Sequence, residues 1–93
     1  MTYIDLMRMV LPKSEFIEYI KLKGNMIRHL VVNVSDNYYS EPILMQYGEK
    51  YFISFSLLHK YQEECPFEYI DEVAFEKNAI KRFEKMIKNI RKQ

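Results

Sequence analysis

Residues Asp71 to Arg91 constrain this chain more than any other stretch. From Val73 onward, Phe75, Ala79, Ile80, Phe83, Met86, Ile87 and Ile90 recur at helical spacing. At about 100° per residue they share one side of a helix with Val73. Lys77, Lys81, Arg82, Lys85 and Lys88 take the opposite side, where Glu84 is the only acid; Glu76 is the one charge inside the apolar stripe. Fully burying a side chain such as Phe75, Phe83, Ile87 or Ile90 contributes about 1.5–3 kcal/mol. Four of them would rival the roughly 5–15 kcal/mol that holds a small domain together. A helix of this kind is part of the core, and the residues before it must supply a surface for it to cover.

Composition says that they can. The chain has 93 residues, 48% of them hydrophobic, with eight Tyr and six Phe. That is one domain, residues 1–93, near the lower end of the size that folds without covalent staples. The single cysteine, Cys65, cannot close an internal disulfide, which suits a reducing, cytoplasmic setting. No apolar run approaches the roughly 20 residues of a membrane span, so no membrane partner is expected. Asp5 interrupts the apolar patch at the start, which does not read as a signal peptide. Ten Lys against four Arg, ten Ile and two Ala point to a gene of low G+C content, which fits a bacterium, a phage or a virus.

The net charge of +1 conceals a strong asymmetry. Residues 41–76 hold two basic and eight acidic groups, whereas residues 77–93 hold seven basic and one acidic. Such segregation bears on partners rather than on fold.

Along the chain, Thr2 and Asp5 resemble a capping pair for a short helical face of Ile4, Leu6, Met7 and Val10. Pro12 interrupts it, and Ser14 is placed to cap a second piece, Glu15 to Lys23, with Phe16, Ile17 and Ile20 inward and Gly24 as its stop. Ile27 to Val34 reads as a strand with apolar residues on both faces, which fits an interior strand or one covered on both sides. After the turn residues Ser35, Asp36 and Asn37, a second strand runs from Tyr38 to Tyr47. Pro42 cannot donate to a ladder and predicts an edge or bulge there. A third strand, Tyr51 to Phe55, closes a hairpin. A three-residue loop, Gly48 to Lys50, would place Ile43, Met45, Tyr47, Tyr51, Ile53 and Phe55 on one face. A two-residue Gly48–Glu49 loop suits turn chemistry better but splits that set, and the pattern favours the longer loop. Ser56 is placed to cap a short helix from Leu57 to about Glu64, Phe67 to Ile70 reads as a connector, and Asp71 caps the last helix. The prediction is α+β: an N-terminal helix or two short ones, a three-stranded antiparallel sheet, a short helix, and the long amphipathic helix, with the helices on one face.

Residue types for catalysis are scattered. His29, His59 and Cys65 lack the spacing of a metal set, and no metal or cofactor is expected. Ser54 and Ser56 near His59 have the chemistry of a nucleophile and base, but Ser56 already serves as a cap, and Cys65 reads as a buried filler. With two glycines in the chain, no phosphate-cradling loop can form. The chain is therefore read as a non-enzyme.

Three surfaces could bind. Lys77, Lys81, Arg82, Lys85 and Lys88 could contact phosphates, with Glu84 offsetting its lysine neighbours Lys81 and Lys88. Glu63, Glu64, Glu68, Asp71 and Glu72 form an acidic run that could meet a basic partner surface, and two of its members favour the start of the last helix. Tyr38 and Tyr39, beside a turn, are suited to an interface. The leading expectation is a small module, phage- or mobile-element-encoded, that regulates or inhibits a larger protein by binding it. Nucleic-acid binding by the basic helix face is the alternative. Self-association into a homodimer, through an unpaired edge near Pro42 or leftover apolar surface, is the third.

Overall fold

The computed structural model describes residues 9–63, 65 and 67–91. Within them the chain is α+β: helix α1 (Lys13–Lys23), strands β1 (Asn25–His29), β2 (Val32–Asn33), β3 (Tyr38–Ser40), β4 (Ile43–Tyr47), β5 (Lys50–His59) and β6 (Phe67–Val73), and helix α2 (Glu76–Arg91). All strand pairs are antiparallel, in one sheet. The expected three strands understate it.

The β4–β5 hairpin sets the register. Tyr47 faces Lys50 across a two-residue turn, and Gly48 has φ 63° while no other described residue has positive φ. Glycine at the first turn position with an ordinary second residue is the type II′ pattern, whose twist matches the flanking strands. The three-residue loop predicted from the apolar pattern is therefore wrong. With this register, Ile43, Met45, Tyr47 and Phe52 face one way, and Leu44, Tyr51, Ile53 and Phe55 the other.

Splitting the apolar set costs nothing because both faces are covered. Phe16 and Ile20 of α1 meet Ile43, Met45 and Phe52, flanked by Tyr19, Tyr47 and Ile70. On the opposite face, Ala79, Phe83, Ile87 and Ile90 of α2 meet Val32, Leu44, Ile53 and Val73. The helices thus lie on opposite faces rather than on one, and consecutive residues Ile43, Leu44 and Met45 are all buried. Runs of that kind belong to strands covered on both sides.

Pro42 sits inside the sheet. β3 and β4 keep one register against β5, Ser40 opposite Leu57 and Ile43 opposite Ser54, so no bulge intervenes. Glu41 N–H still donates to Ser56 O (3.2 Å), and Pro42 O accepts from Leu30 N–H (3.1 Å). The missing proline donor falls opposite the break between β1 and β2. Those two strands form the outer edge, and a register shift between Met26 and Arg28 marks the bulge there. The predicted interior strand from Ile27 is thus an edge, and the predicted edge at Pro42 is interior.

The predicted short helix from Leu57 is absent from the described residues: β5 continues to His59, and Ser56 is a buried strand residue. Phe67 to Val73, expected as a connector and a helix start, is a full strand on β5. Helix α2 therefore begins at Glu76, not after Asp71, and Phe75, 69% exposed, leaves the apolar stripe. Helix α1 begins at Lys13, with Pro12 rather than Ser14 at its N-cap position, and Phe16 N–H bonds to Pro12 O (3.0 Å). Thr2, Ile4, Asp5, Leu6 and Met7 lie outside the described residues; Val10 is exposed, so it does not face the core.

Gly24 ends α1 by close approach rather than by left-handed backbone. Its φ is −81°, and its N–H donates to Ile20 O at 2.7 Å. A Cβ here would lie 2.6 Å from that oxygen and 2.9 Å from Gln46 O.

Two outcomes in urea unfolding follow. Gly24→Ala is expected to cost about 1–3 kcal/mol, as overpacking against two fixed backbone oxygens does; an unchanged midpoint would refute the close-approach role. Phe83→Ala is expected to cost about 3–5 kcal/mol, while Phe75→Ala stays within about 0.5 kcal/mol. Equal losses would show that the stripe reaches Phe75 after all.

Candidate interaction site

Helix α2 packs on its face of the sheet between β6 on one flank and β1 on the other. Its first turns lie near Val73, and its last buried residues, Ile87 and Ile90, belong to the cluster that holds Val32. Beside β6 it leaves a groove of about 390 Å³, floored by Ile53 and Phe55 and bounded by Tyr69 and Asp71 on the strand and Arg82, Lys85, Met86, Asn89 and Ile90 on the helix. Phe67 stacks edge-on against Phe55, ring centroids 5.6 Å apart, and extends the apolar surface past the groove mouth. Phe67 and Tyr69 remain 47% and 40% exposed.

Asp71 fixes the groove's strand wall to its helix wall. Its Oδ2 accepts from Arg82 at 2.6 Å, and its Oδ1 accepts the N–H of Glu72 at 2.9 Å. Strand alternation places that N–H on the outer edge of β6: Ser56 O points toward β4, so the odd residues of β5 bond β6 through its own odd residues. The outward carbonyl of Glu68 accepts from Lys13 Nζ at 3.2 Å. Side chains thus blunt part of this edge, as outer strands commonly require.

The predicted acidic surface is divided. Asp71 faces α2, while Glu72 faces α1 and pairs with Lys50 (3.1 Å). Glu68 is half-buried on the α1 face, Glu63 is exposed in the bend after β5, and Glu64 lies outside the described residues. Tyr38 and Tyr39 are half-buried in β3, an interior strand rather than a loop, and point to opposite faces; Tyr38 stacks edge-on with His59 at 5.0 Å. Of the basic set, Arg82 is committed to Asp71. Lys77, Lys81, Lys85 and Lys88 are exposed and, among the described residues, have no carboxylate within ion-pair distance. Glu84 does not offset Lys81 or Lys88 as expected, because it pairs with Arg28 of β1 at 3.2 Å. The sequence marks Phe55 and Met86 only as core positions and Phe67 and Tyr69 only as part of a connector or its edge, although the alternation Phe67, Glu68, Tyr69 is a strand signal.

The catalytic candidates separate. Ser54 and Ser56 point toward the α1 face and His59 toward the α2 face, so no hydroxyl can reach that imidazole across the strand. Among the described residues no group of three His, Cys, Asp or Glu side chains converges on a point that could hold a metal ion, and no helix is long and apolar enough to cross a membrane. Comparison with protein-family models, curated proteins and solved structures finds no match.

Cys65 is exposed rather than a buried filler. Its Sγ lies 3.4 Å from Phe67 O and 3.7 Å from Glu68 Oε1. Lost hydration and then the Glu68 carboxylate push its thiol pKa up, because both disfavour the thiolate. Alkylation by iodoacetamide is therefore expected to rise with pH around a midpoint above the roughly 8.5 of a free thiol. Glu68→Gln should move that midpoint down; an unmoved midpoint would remove the carboxylate as a cause.

Proposed function

We propose that this protein acts by binding, as a small non-enzymatic module that regulates or inhibits a larger protein, and that the groove between α2 and β6 receives the partner. The observation that supports this best is the pair of exposed aromatics, Phe67 and Tyr69, beside an apolar floor that the helix leaves open. Tyrosine and phenylalanine offer large contact area with few rotors to freeze, and aromatic anchors dominate interface energetics. The Asp71–Arg82 pair and Lys85 add fixed charges at the rim, which orient a partner more than they tighten it.

Recognition through side chains fits better than strand addition. A strand added to β6 would need its outward carbonyls and amides, and Lys13 and Asp71 already engage two of them. The chemistry favoured is thus an apolar side chain, presented from a helix or loop, seated on Phe55 and Ile53 between the two walls.

A photoreactive amino acid at position 69 is expected to give one dominant adduct in host lysate, lost when excess unlabelled protein is added. The same probe at Leu22, 77% exposed on α1, should give none. With the captured protein purified, Phe67→Ala with Tyr69→Ala should weaken binding by about 30-fold or more, the scale of a central anchor. Full affinity in the double variant would show that the groove is not the contact.

A further inference from the structure

The crest of α2 bears a second surface, independent of the groove. At about 100° per residue, Lys77, Lys81, Lys85 and Lys88 fall within about 80° of one another, on the side opposite Phe83 and Ile87. Arg82 and Asn89 lie toward β6, and Glu84 and Arg91 toward β1, in two flanking grooves whose rims Lys85 and Lys88 also reach. The crest is therefore a single file of lysines about 16 Å long at 1.5 Å per residue.

What distinguishes it from an ordinary solvated face is where the carboxylates go. Lysines four apart repel one another, and a helix usually relieves this with acids in the neighbouring rows. Here Glu84 is drawn down to Arg28 and Asp71 to Arg82, and Glu76 falls on the Phe83 and Ile87 side of the helix, so no carboxylate stands in the lysine row. Arg28 and Arg82, which could fork onto a carboxylate or a base edge, are occupied, Arg91 stands on the β1 flank, and the crest itself carries only point-charge lysines.

We propose that this crest is a sequence-independent site for the phosphate backbone of duplex nucleic acid. Its length spans about five base-pair steps along the axis of a duplex at 3.4 Å per step. It carries no aromatic side chain on which an unpaired base could stack, and stacking platforms are what single-strand sites use. Without arginine, asparagine or glutamine in the file, it reads charge and spacing rather than sequence. The assignment does not rest on the groove: Lys77, Lys81 and Lys88 lie outside it.

The test is fluorescence anisotropy of the full chain with two labelled duplexes of unrelated sequence, across about 50 to 200 mM salt. With up to four phosphates neutralised, log affinity should fall against log salt with a slope between about −2 and −4, alike for both sequences. Each Lys→Gln substitution on the crest should reduce the slope by about one. Lys77→Glu with Lys81→Glu and Lys88→Glu should abolish binding at an unchanged melting temperature, while Phe67→Ala with Tyr69→Ala leaves it intact. Lack of binding at the lowest salt, or a slope indifferent to the lysines, would overturn the proposal. Single strands binding as tightly as duplex would overturn it too, as would anionic vesicles competing equally well.

Discussion

Every layer of this fold answers to the register of one hairpin. Gly48 supplies the left-handed residue of a two-residue turn, and that turn pairs Tyr47 with Lys50. From there period-two geometry decides which side chains of β4 and β5 go up and which go down. Because both sets are apolar, neither face can be left to water, and the chain must provide a cover for each. Helix α1 before the sheet and helix α2 after it are those covers. A one-residue slip would not expose the core to solvent, as in a one-sided sheet. It would exchange what each helix meets, setting Phe16 and Phe83 against the wrong neighbours.

That constraint also explains how far the residues alone could be read. Helix α2 was legible because its period is long and its faces are chemically opposed, and α1 because Phe16, Ile17 and Ile20 recur before a glycine. The hairpin was misread by weighing the apolar pattern above the turn chemistry, on the premise that only one face is buried. Once both are, the pattern loses its power to choose a register and the glycine decides. Strand β6 was lost to local ambiguity. Leu57, Leu58 and Tyr61 have helical spacing, and acids crowd Phe67 to Val73, so neither stretch looks like part of a long pairing. Tertiary context overrode both, since β5 pairs with β3 and β4 along one side and β6 along the other. The groove was illegible for a related reason: it is lined by residues of β5, β6 and α2 that only the packing of the helix brings together, and no one-dimensional pattern encodes that packing.

The charge asymmetry of the sequence survives folding only in part. Asp71 and Glu72, the last two members of the acidic run, are taken up by Arg82 and Lys50. Exposed pairs of this kind add little stability, about 0–1 kcal/mol each. Their effect is on where unbalanced charge remains, and it remains on the crest of α2. Two neighbouring features of one helix thus come to serve different chemistries: its flank shapes an apolar groove, and its outward row keeps a bare line of cations.

The two clusters of buried side chains share no residue and meet only through the backbone of the central strands. A single sheet thickness is therefore a partition between two separately filled interiors. Change on one side reaches the other only by moving main chain that is hydrogen-bonded along its length. The α1 interior can drift through substitution while α2, its groove and its crest stay where they are. A sheet built this way can keep one outer surface constant and rework its reverse side at little risk.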